Sequence, residues 1–389
     1  MKNRLTYLAL AALTLAAAAC SSDDGTLAGD TLPHDGEKVT VPLAISFSGT
    51  WSTDDDNATR VAPPEQGDTN GDGIIDDNDL IGGKEELEEI NTVRIVVFRR
   101  KDPQVTGQEA TDFVYDPTNN LKTTCSWDDE KNMKIANATL TKLYSYEYRV
   151  VAIAYNADEE GWFSLNNNDL EDVTFEEFEV EMKGTVDVGN FAKKVDDGEC
   201  GIMFTPQFFF GYCHLEGNDD PIIKYGETAE ETTLPLTGRL YRAVAKVEVN
   251  LTVKRDNTVL RSEIKQAVLL MDDIYTKSHL TDYDDFLTPF QQTGDGRNIV
   301  AFEDEIPAIG STLVFTTYVL QTKTRLGAGI YYTDLLGWGG YYEYKWYESD
   351  DISYADEATG IISPDVDNNE FYFRRNHKYK ITGTINNNY

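Results

Sequence analysis

Apolar and polar residues alternate without a break over a segment near the amino terminus. The apolar members are Val39, Val41, Leu43, Ile45 and Phe47. Strict alternation with a period of two places these side chains on one face of a β-strand, so the pattern predicts a strand with one buried and one solvated face. Pro42 lies on the opposite face and has no backbone N–H. We therefore expect this strand to lie at a sheet edge or to pair on one side only.

Similar short segments recur along the chain, while helical periodicity is scarce. The strand candidates cover residues 93–98, 133–139, 146–155, 173–181, 202–210, 241–253, 265–271, 311–321, 341–346 and 371–385. Many short strands separated by turn residues favour an all-β fold of antiparallel β-sandwiches over alternating strand–helix units. The polar run 217–233 is the predicted linker between an amino-terminal sandwich, 61–216, and a carboxy-terminal sandwich, 234–389.

The first twenty residues have the layout of an export signal. A basic start is followed by an apolar run too short to span a bilayer, and then by Cys20. This arrangement resembles a bacterial lipoprotein signal and predicts a signal peptide over 1–19 with a lipid on Cys20. An ordinary secreted protein with a stray cysteine is the alternative. Residues 21–24, Ser-Ser-Asp-Asp, resemble the surface-export signal of Bacteroidia lipoproteins, so we expect the outer cell surface, with a tether and the first strand in 20–60.

The net charge restricts the classes of partner. Lys and Arg total 34 against 68 Asp and Glu, which gives a formal net charge of −34. A surface this negative repels phosphate backbones, so we expect no nucleic-acid partner. Polyvalent cations fit this charge better than polyanions.

Residues 68–79, D-T-N-G-D-G-I-I-D-D-N-D, have the spacing of a calcium-binding loop. A hard cation takes alternate side-chain oxygens and one backbone carbonyl from such a turn, and Gly73 stands where the turn is tightest. The predicted ligands are Asp68, Asn70, Asp72, the carbonyl of Ile74, Asp76 and Asp79. Asp at the twelfth position resembles the dockerin variant of the loop, but dockerins pair two loops, so cohesin binding is not implied. An Asx/Gly turn cluster without metal is the alternative.

The cysteines that follow the signal leave their pairing open. They are Cys125, Cys200 and Cys213, and an odd number leaves at least one thiol unpaired within a monomer. Both a Cys200–Cys213 bridge and buried free thiols agree with the sequence.

Motifs of catalysis are missing from the sequence. It contains no H-E-x-x-H, G-x-S-x-G or P-loop pattern, and its four histidines are scattered. We therefore expect no enzyme activity and no organic cofactor. The aromatic stretch 339–349 is either an ordinary strand or a surface that stacks on sugar rings. A monomeric glycan-binding surface lipoprotein is thus one alternative function.

Several segments together resemble the fimbrillin family, the subunits of Bacteroidia type V pili. They are the leader with its first strand, E-E-I-N-T-V-R-I-V-V-F at 88–98, Y-R-V-V-A-I-A-Y-N at 148–156, L-Y-R-A-V-A-K-V-E-V at 240–249 and F-Y-F-R-R-N-H-K-Y-K-I-T-G-T-I at 371–385. The resemblance implies two Greek-key β-sandwich domains of transthyretin-like type, no enzyme activity, and assembly with other subunits into a surface fibre. It also implies that an Arg-specific protease cuts behind the first strand and that a neighbour's strand replaces it.

Arg60 is the position that fits such a cleavage. It is followed by Val61, lies in an acidic stretch, and is the only Arg between Cys20 and Arg94. A plain surface Arg in a linker is the alternative. Loss of the first strand would uncover a groove that had held five apolar side chains, roughly 8–15 kcal/mol of burial at about 1.5–3 kcal/mol each. Such a groove favours a replacement strand that adds by β-augmentation.

The carboxy terminus differs from that of the family's shaft subunits, which continue into a donor extension. Here Ile385 is followed only by residues 386–389. We therefore expect a subunit that accepts a strand but gives none. This predicts a tip or accessory position and adhesion to a host or bacterial surface ligand. An anchor subunit that keeps its lipid, or a shaft subunit with a mobile last strand, are the alternatives.

Overall fold

The computed structural model describes residues 38–49, 87–107, 112–143, 146–181, 185–186, 202–203, 205–218, 220–224, 235–255, 263–275, 277–279, 298–303, 310–333, 340–347, 353–356 and 370–387. The predictions for the signal peptide, Cys20, Arg60, Val61 and the loop 68–79 lie outside these residues. Within them no helix is both long enough and apolar enough to cross a bilayer.

The described residues form strands almost throughout, which confirms an all-β fold. The helical elements that lie wholly within the described residues are one turn of α-helix, Pro103–Thr106, and two short 3-10 segments, Pro117–Asn119 and Ala157–Trp162. The strands are β1 Lys38–Phe47, β2 Thr92–Lys101, β3 Val114–Tyr115, β4 Leu121–Asp128, β5 Met133–Leu143, β6 Tyr146–Tyr155, β7 Glu179–Glu181, β8 Thr185–Val186, β9 Ile202–Met203, β10 Phe208–Leu215, β11 Leu236–Arg239, β12 Tyr241–Arg242, β13 Val244–Arg255, β14 Glu263–Met271, β15 Lys277–His279, β16 Asn298–Glu303, β17 Thr312–Leu320, β18 Thr322–Thr324, β19 Leu326–Thr333, β20 Gly340–Trp346, β21 Ser353–Asp356, β22 Phe371–Phe373 and β23 Lys378–Asn387.

Seven strands of the amino-terminal part close into a barrel. Their order is β11-β1-β5-β4-β2-β6-β10, and β10 pairs with β11 to complete the ring. The closure needs Gly238, because a Cβ there would lie 2.7 Å from Cys213 Sγ. The antiparallel sandwich predicted for this part is therefore not confirmed: the sheet closes on itself, and β1 runs parallel to β11.

Two apolar clusters explain why β2, β6 and β10 have apolar residues at consecutive positions. Alternate residues of these strands point into the barrel, and the intervening ones pack against an outer layer formed by 157–178 and neighbouring residues. In β6, for example, Val150 and Ala152 are inside, while Val151 and Ile153 join the outer cluster. Burial on both faces removes the polar half of the alternation that a half-exposed strand shows.

The carboxy-terminal part is built around two facing sheets, beside which β18 pairs with β22 and β15 pairs with β7. One has the order β17-β13-β23-β21 and the other β20-β19-β14-β16-β9-β8. Val249 and Leu251 of β13 share one buried cluster with Leu269 and Met271 of β14. The layout of two sheets around one core agrees with the predicted sandwich. The purely antiparallel order does not, because β13 and β23 are parallel over their paired length.

Strand pairings cross the predicted boundary between the two consecutive domains. β11 and β12 follow the predicted linker 217–233 but belong to the barrel sheet. Ile223, inside that linker, is fully buried and exchanges two backbone hydrogen bonds of 2.8 Å with Tyr148. Conversely, β8 and β9 precede the linker and extend the six-stranded sheet of the carboxy-terminal part. A four-residue strand such as β11 has too short a pattern to show which sheet it joins.

Candidate functional site

β1 fills one side of the barrel interior. Val41, Leu43, Ile45 and Phe47 are each at most 1% exposed and belong to the inner cluster, against which Val39 packs half-buried. The alternate residues of β1 up to position 44 face solvent. The prediction of a half-buried strand is therefore confirmed, and all five of its apolar side chains lie on the barrel side.

The backbone of β1 is paired unequally on its two sides. Its pairing with β5 is antiparallel and runs from Lys38 to Phe47. Its pairing with β11 is parallel and covers only Leu43–Ser46. Pro42 therefore lies in the half of β1 that pairs with β5 alone, which confirms the expectation of one-sided pairing at the proline.

The carboxy-terminal end of β1 is held by a buried arginine. Both Nη1 and Nη2 of Arg242 donate to the carbonyl of Gly49, each over 3.2 Å, and the Arg242 side chain is buried. Its guanidinium lies 4.9 Å from the ring centroid of Phe209, which in turn lies 5.1 Å from that of Phe47. The Leu240 N–H adds a 3.0 Å hydrogen bond to the carbonyl of Ser46.

The sequence reasoning missed Arg242. One signal was present, because Arg242 follows Leu240 at the two-residue spacing that places side chains on the same face of a strand. An arginine at an inward position needs acceptors, since a buried charge is costly unless it is hydrogen-bonded.

Two lysines of β5 lie on its inner face at opposite ends of the β1–β5 pairing. Lys142 is paired with Val39, and its Nζ donates to the Lys224 carbonyl over 3.1 Å. Lys134 is paired with Phe47 and donates to the carbonyl of Ile90. Burial lowers the pKa of both ammonium groups, that of Lys142 to about 8. Each lysine thus donates to the carbonyl of a residue outside the named strands.

A separate cavity of about 400 Å³ lies between barrel loops and the strands β16 and β17. Its lining includes Glu89, Glu159, Val300, Phe302 and the hydroxyl-bearing stretch of β17 that follows Phe315. Burial, with a smaller contribution from Glu89 and then Asp158, raises the pKa of Glu159 to about 7. This carboxyl is therefore partly protonated near neutral pH.

Of the remaining sequence candidates, those that the structure describes include Cys213 and part of the aromatic strand. Cys213 is a fully buried free thiol whose pKa burial raises to about 12, which confirms the free-thiol interpretation for this residue. Cys200 lies outside the described residues. In the aromatic strand, Trp346 is half-buried with the guanidinium of Arg325 4.9 Å from its ring. Among the residues that the structure describes, no group of three or more His, Cys, Asp or Glu is placed to hold a metal ion.

No family model and no curated protein sequence match this chain. Solved structures are similar to it at low identity. A candidate adhesin from Bacteroides ovatus has 9% identity and a TM-score of 0.40, covering 83% of this chain and 88% of its own. A candidate cell adhesion protein from Bacteroides eggerthii has 15% identity and a TM-score of 0.38, covering 92% and 100%. The fimbrial anchor protein Mfa2 from Porphyromonas gingivalis has 9% identity and a TM-score of 0.33, covering 78% and 82%.

Proposed function

We propose that the chain is a structural and adhesive subunit of a cell-surface pilus, assembled when a protease releases β1 and a strand of another subunit takes its place. The observation that carries the proposal is the position of β1. It is one of the seven strands of the barrel. The segment that connects it to the next described residue, Leu87, contains Arg60. Cleavage there would leave β1 bound by non-covalent contacts alone.

Loss of β1 would expose an apolar groove and unpaired backbone groups, which strongly favours binding of a replacement strand. The four fully buried side chains of β1 represent roughly 6–12 kcal/mol of burial at about 1.5–3 kcal/mol each. The backbone of β5 would also lose its β1 partner over Lys134–Leu143, where β4 pairs with it only up to Ala136, and β11 would lose its β1 partner over Leu236–Arg239. An extended segment with alternating apolar residues restores both the core contacts and the main-chain hydrogen bonds.

The last described strand favours a subunit that receives a strand over one that gives this strand. β23 lies between β13 and β21, parallel to the first and antiparallel to the second. Its donation to a neighbour would break both pairings and remove Ile381 and Ile385 from the core. We therefore include a tip or accessory position in the proposal, with export as an outer-membrane lipoprotein before cleavage and no enzymatic role.

The amino terminus and intact mass of the protein from its native cell surface test the proposal. We expect a start at Val61 without lipid, in a fraction that contains assembled fibres. An Arg60→Gln variant should instead begin at lipid-bearing Cys20 and be absent from fibres. A lipid-bearing Cys20 start in the wild-type fibre fraction would overturn the tip position and leave an anchor subunit. Absence of the wild-type protein from every fibre fraction would overturn the pilus assignment itself.

A further inference from the structure

We propose that Arg242 is a carbonyl-binding site that fixes the register of the strand in the β1 position, including the strand that replaces β1. The proposal rests on the strand replacement proposed above. The present occupant shows the interaction: the carbonyl of Gly49, two residues after Phe47, accepts from both terminal nitrogens of Arg242.

The guanidinium is built into the barrel and does not follow β1. Arg242 belongs to β12, which pairs with β10 at Phe209, and its guanidinium lies against the ring of that same residue. Arg242 is 1% exposed, so its charge depends on acceptors inside the protein. When β1 leaves, the guanidinium loses the Gly49 carbonyl, and an incoming strand is favoured if it returns a carbonyl to the same point.

Alternation of side chains alone cannot specify the register of a replacement strand. A slip by one residue turns the apolar set out of the barrel and is strongly disfavoured. A slip by two residues keeps every apolar side chain inside and moves the backbone by about 6.8 Å along the strand. The side-chain pockets of the groove therefore accept a two-residue slip. The hydrogen bonds from Arg242 do not, because a shift of this size moves the accepting carbonyl beyond hydrogen-bond distance.

The donor that fits this site has a definite chemistry. It is an extended segment with apolar residues at alternate positions, an aromatic residue in the place of Phe47 against Phe209, and at least two further residues that carry a main-chain carbonyl to Arg242. A segment that stops at the aromatic residue fills the core but leaves the guanidinium without this acceptor.

The affinity test uses the full mature chain, cleaved after Arg60 with its own β1 fragment still bound. Two labelled peptides, acetylated and amidated, compete for the site: residues 38–49 and residues 38–47. For the wild-type protein we expect the longer peptide to bind at least tenfold more tightly, since a hydrogen bond to a charged group contributes about 1.5–3 kcal/mol. In Arg242→Met this preference should fall to about twofold or less, and in the control Arg239→Met it should persist.

The register is read by cross-linking. Ala44 pairs with Asn137 of β5, Pro42 pairs with Thr139, and all four side chains face solvent. A peptide with Ala44→Cys should form a disulfide with Asn137→Cys in the wild-type background, and not with Thr139→Cys, which a two-residue slip would present. In Arg242→Met both cross-links should form. Arg242→Lys, which keeps the charge with a different donor geometry, replaces the Met variant if that protein does not fold.

The outcomes separate the two proposals. If neither peptide displaces the fragment from the cleaved wild-type protein, strand replacement itself fails. If both peptides bind equally to wild type, or if the preference survives in Arg242→Met with a single cross-link, strand replacement stands and the role of Arg242 is overturned.

Discussion

The ring of Phe47 packs against the ring of Phe209, with centroids 5.1 Å apart and planes tilted by 37°. This contact joins the last apolar residue of β1 to β10, the strand that closes the barrel with β11. A tilted pair of buried aromatic rings contributes more to stability than its buried area alone would give. The end of β1 is thus one of the points at which the barrel depends on a strand that we propose to be removable.

Truncation of Phe47 should therefore weaken the barrel strongly. We expect Phe47→Ala to lower the free energy of unfolding by about 3–5 kcal/mol, because the variant loses buried area and leaves a cavity beside Phe209. Urea denaturation followed by circular dichroism measures the change. Val314→Ala is the control, since Val314 is 44% exposed and its truncation should stay within about 0.5 kcal/mol. Equal effects of the two variants would contradict the burial of β1.

Gly238 should not tolerate a side chain unless its neighbour shrinks. A Cβ at this position would lie 2.7 Å from Cys213 Sγ and 3.6 Å from Ile45 Cγ1. We expect Gly238→Ala to cost about 1–3 kcal/mol of stability through overpacking. Cys213→Ala removes the sulfur, so the double variant should recover part of this loss. A double-mutant cycle in thermal or urea unfolding measures the coupling, and additive effects would show that the sulfur is not the obstacle.

The pH dependence of stability should carry a contribution from Lys142. Burial lowers its folded-state pKa to about 8, against an ordinary value of 10.5. Between these values the unfolded chain binds more protons than the folded one, so the free energy of unfolding should rise with pH from about 8 to 10.5. We expect the difference between wild type and Lys142→Met to change across this window. The exposed Lys131→Met serves as the reference variant, and a flat difference for Lys142→Met would contradict the shift.

Glu159 should act in the opposite sense at lower pH. Its folded-state pKa of about 7 exceeds the ordinary 4.5, so the folded protein retains a proton that the unfolded chain has released. This contribution is fully present below pH 4.5 and is lost as pH rises to about 7. Glu159→Gln should therefore gain stability relative to wild type between pH 4.5 and 7.5. Glu171→Gln, at an exposed position, serves as the reference variant when both series are measured by urea unfolding, and a flat series for Glu159→Gln would contradict the shift.

The loop 68–79 remains a prediction from its sequence. We expect one calcium site with a dissociation constant on the order of 10⁻⁴ to 10⁻³ M, as for single loops of extracellular modules. Isothermal titration calorimetry with calcium tests this. The double variant Asp68→Asn/Asp72→Asn should lose the site, while Asp54→Asn/Asp55→Asn, in another acidic stretch, should keep it. If the two double variants gave equal heats of calcium binding, the calcium site would be contradicted and the loop would be an Asx/Gly turn without metal.

Side-chain patterns predicted the strands better than they predicted the sheets. The alternation from Val39 to Phe47 is local information, and it correctly indicated a strand with one buried face. The barrel depends instead on pairings between distant segments, such as Leu43 with Leu236. A strand of four residues or fewer shows almost no periodicity. The sequence therefore predicted neither the pairing of β11 in the barrel nor the addition of β8 and β9 to the sheet of the carboxy-terminal part.

At the candidate site, too, local features were predicted from the sequence and long-range contacts were not. The apolar side chains of β1 were predicted, and their burial agrees with that prediction. The role of Arg242 depends on a contact with a residue 193 positions away, which no local pattern contains. Its inward position was detectable from the spacing to Leu240, but its acceptor was not.

The late position of β11 in the chain has a consequence for synthesis. The barrel can close only when residues 236–239 are available to pair with both β1 and β10. During translation, the earlier barrel strands must therefore remain unclosed, with apolar faces and two open sheet edges exposed to other chains. The barrel therefore cannot close before residue 239 of 389 has been synthesised, and a fragment that ends at residue 216 should aggregate instead of folding.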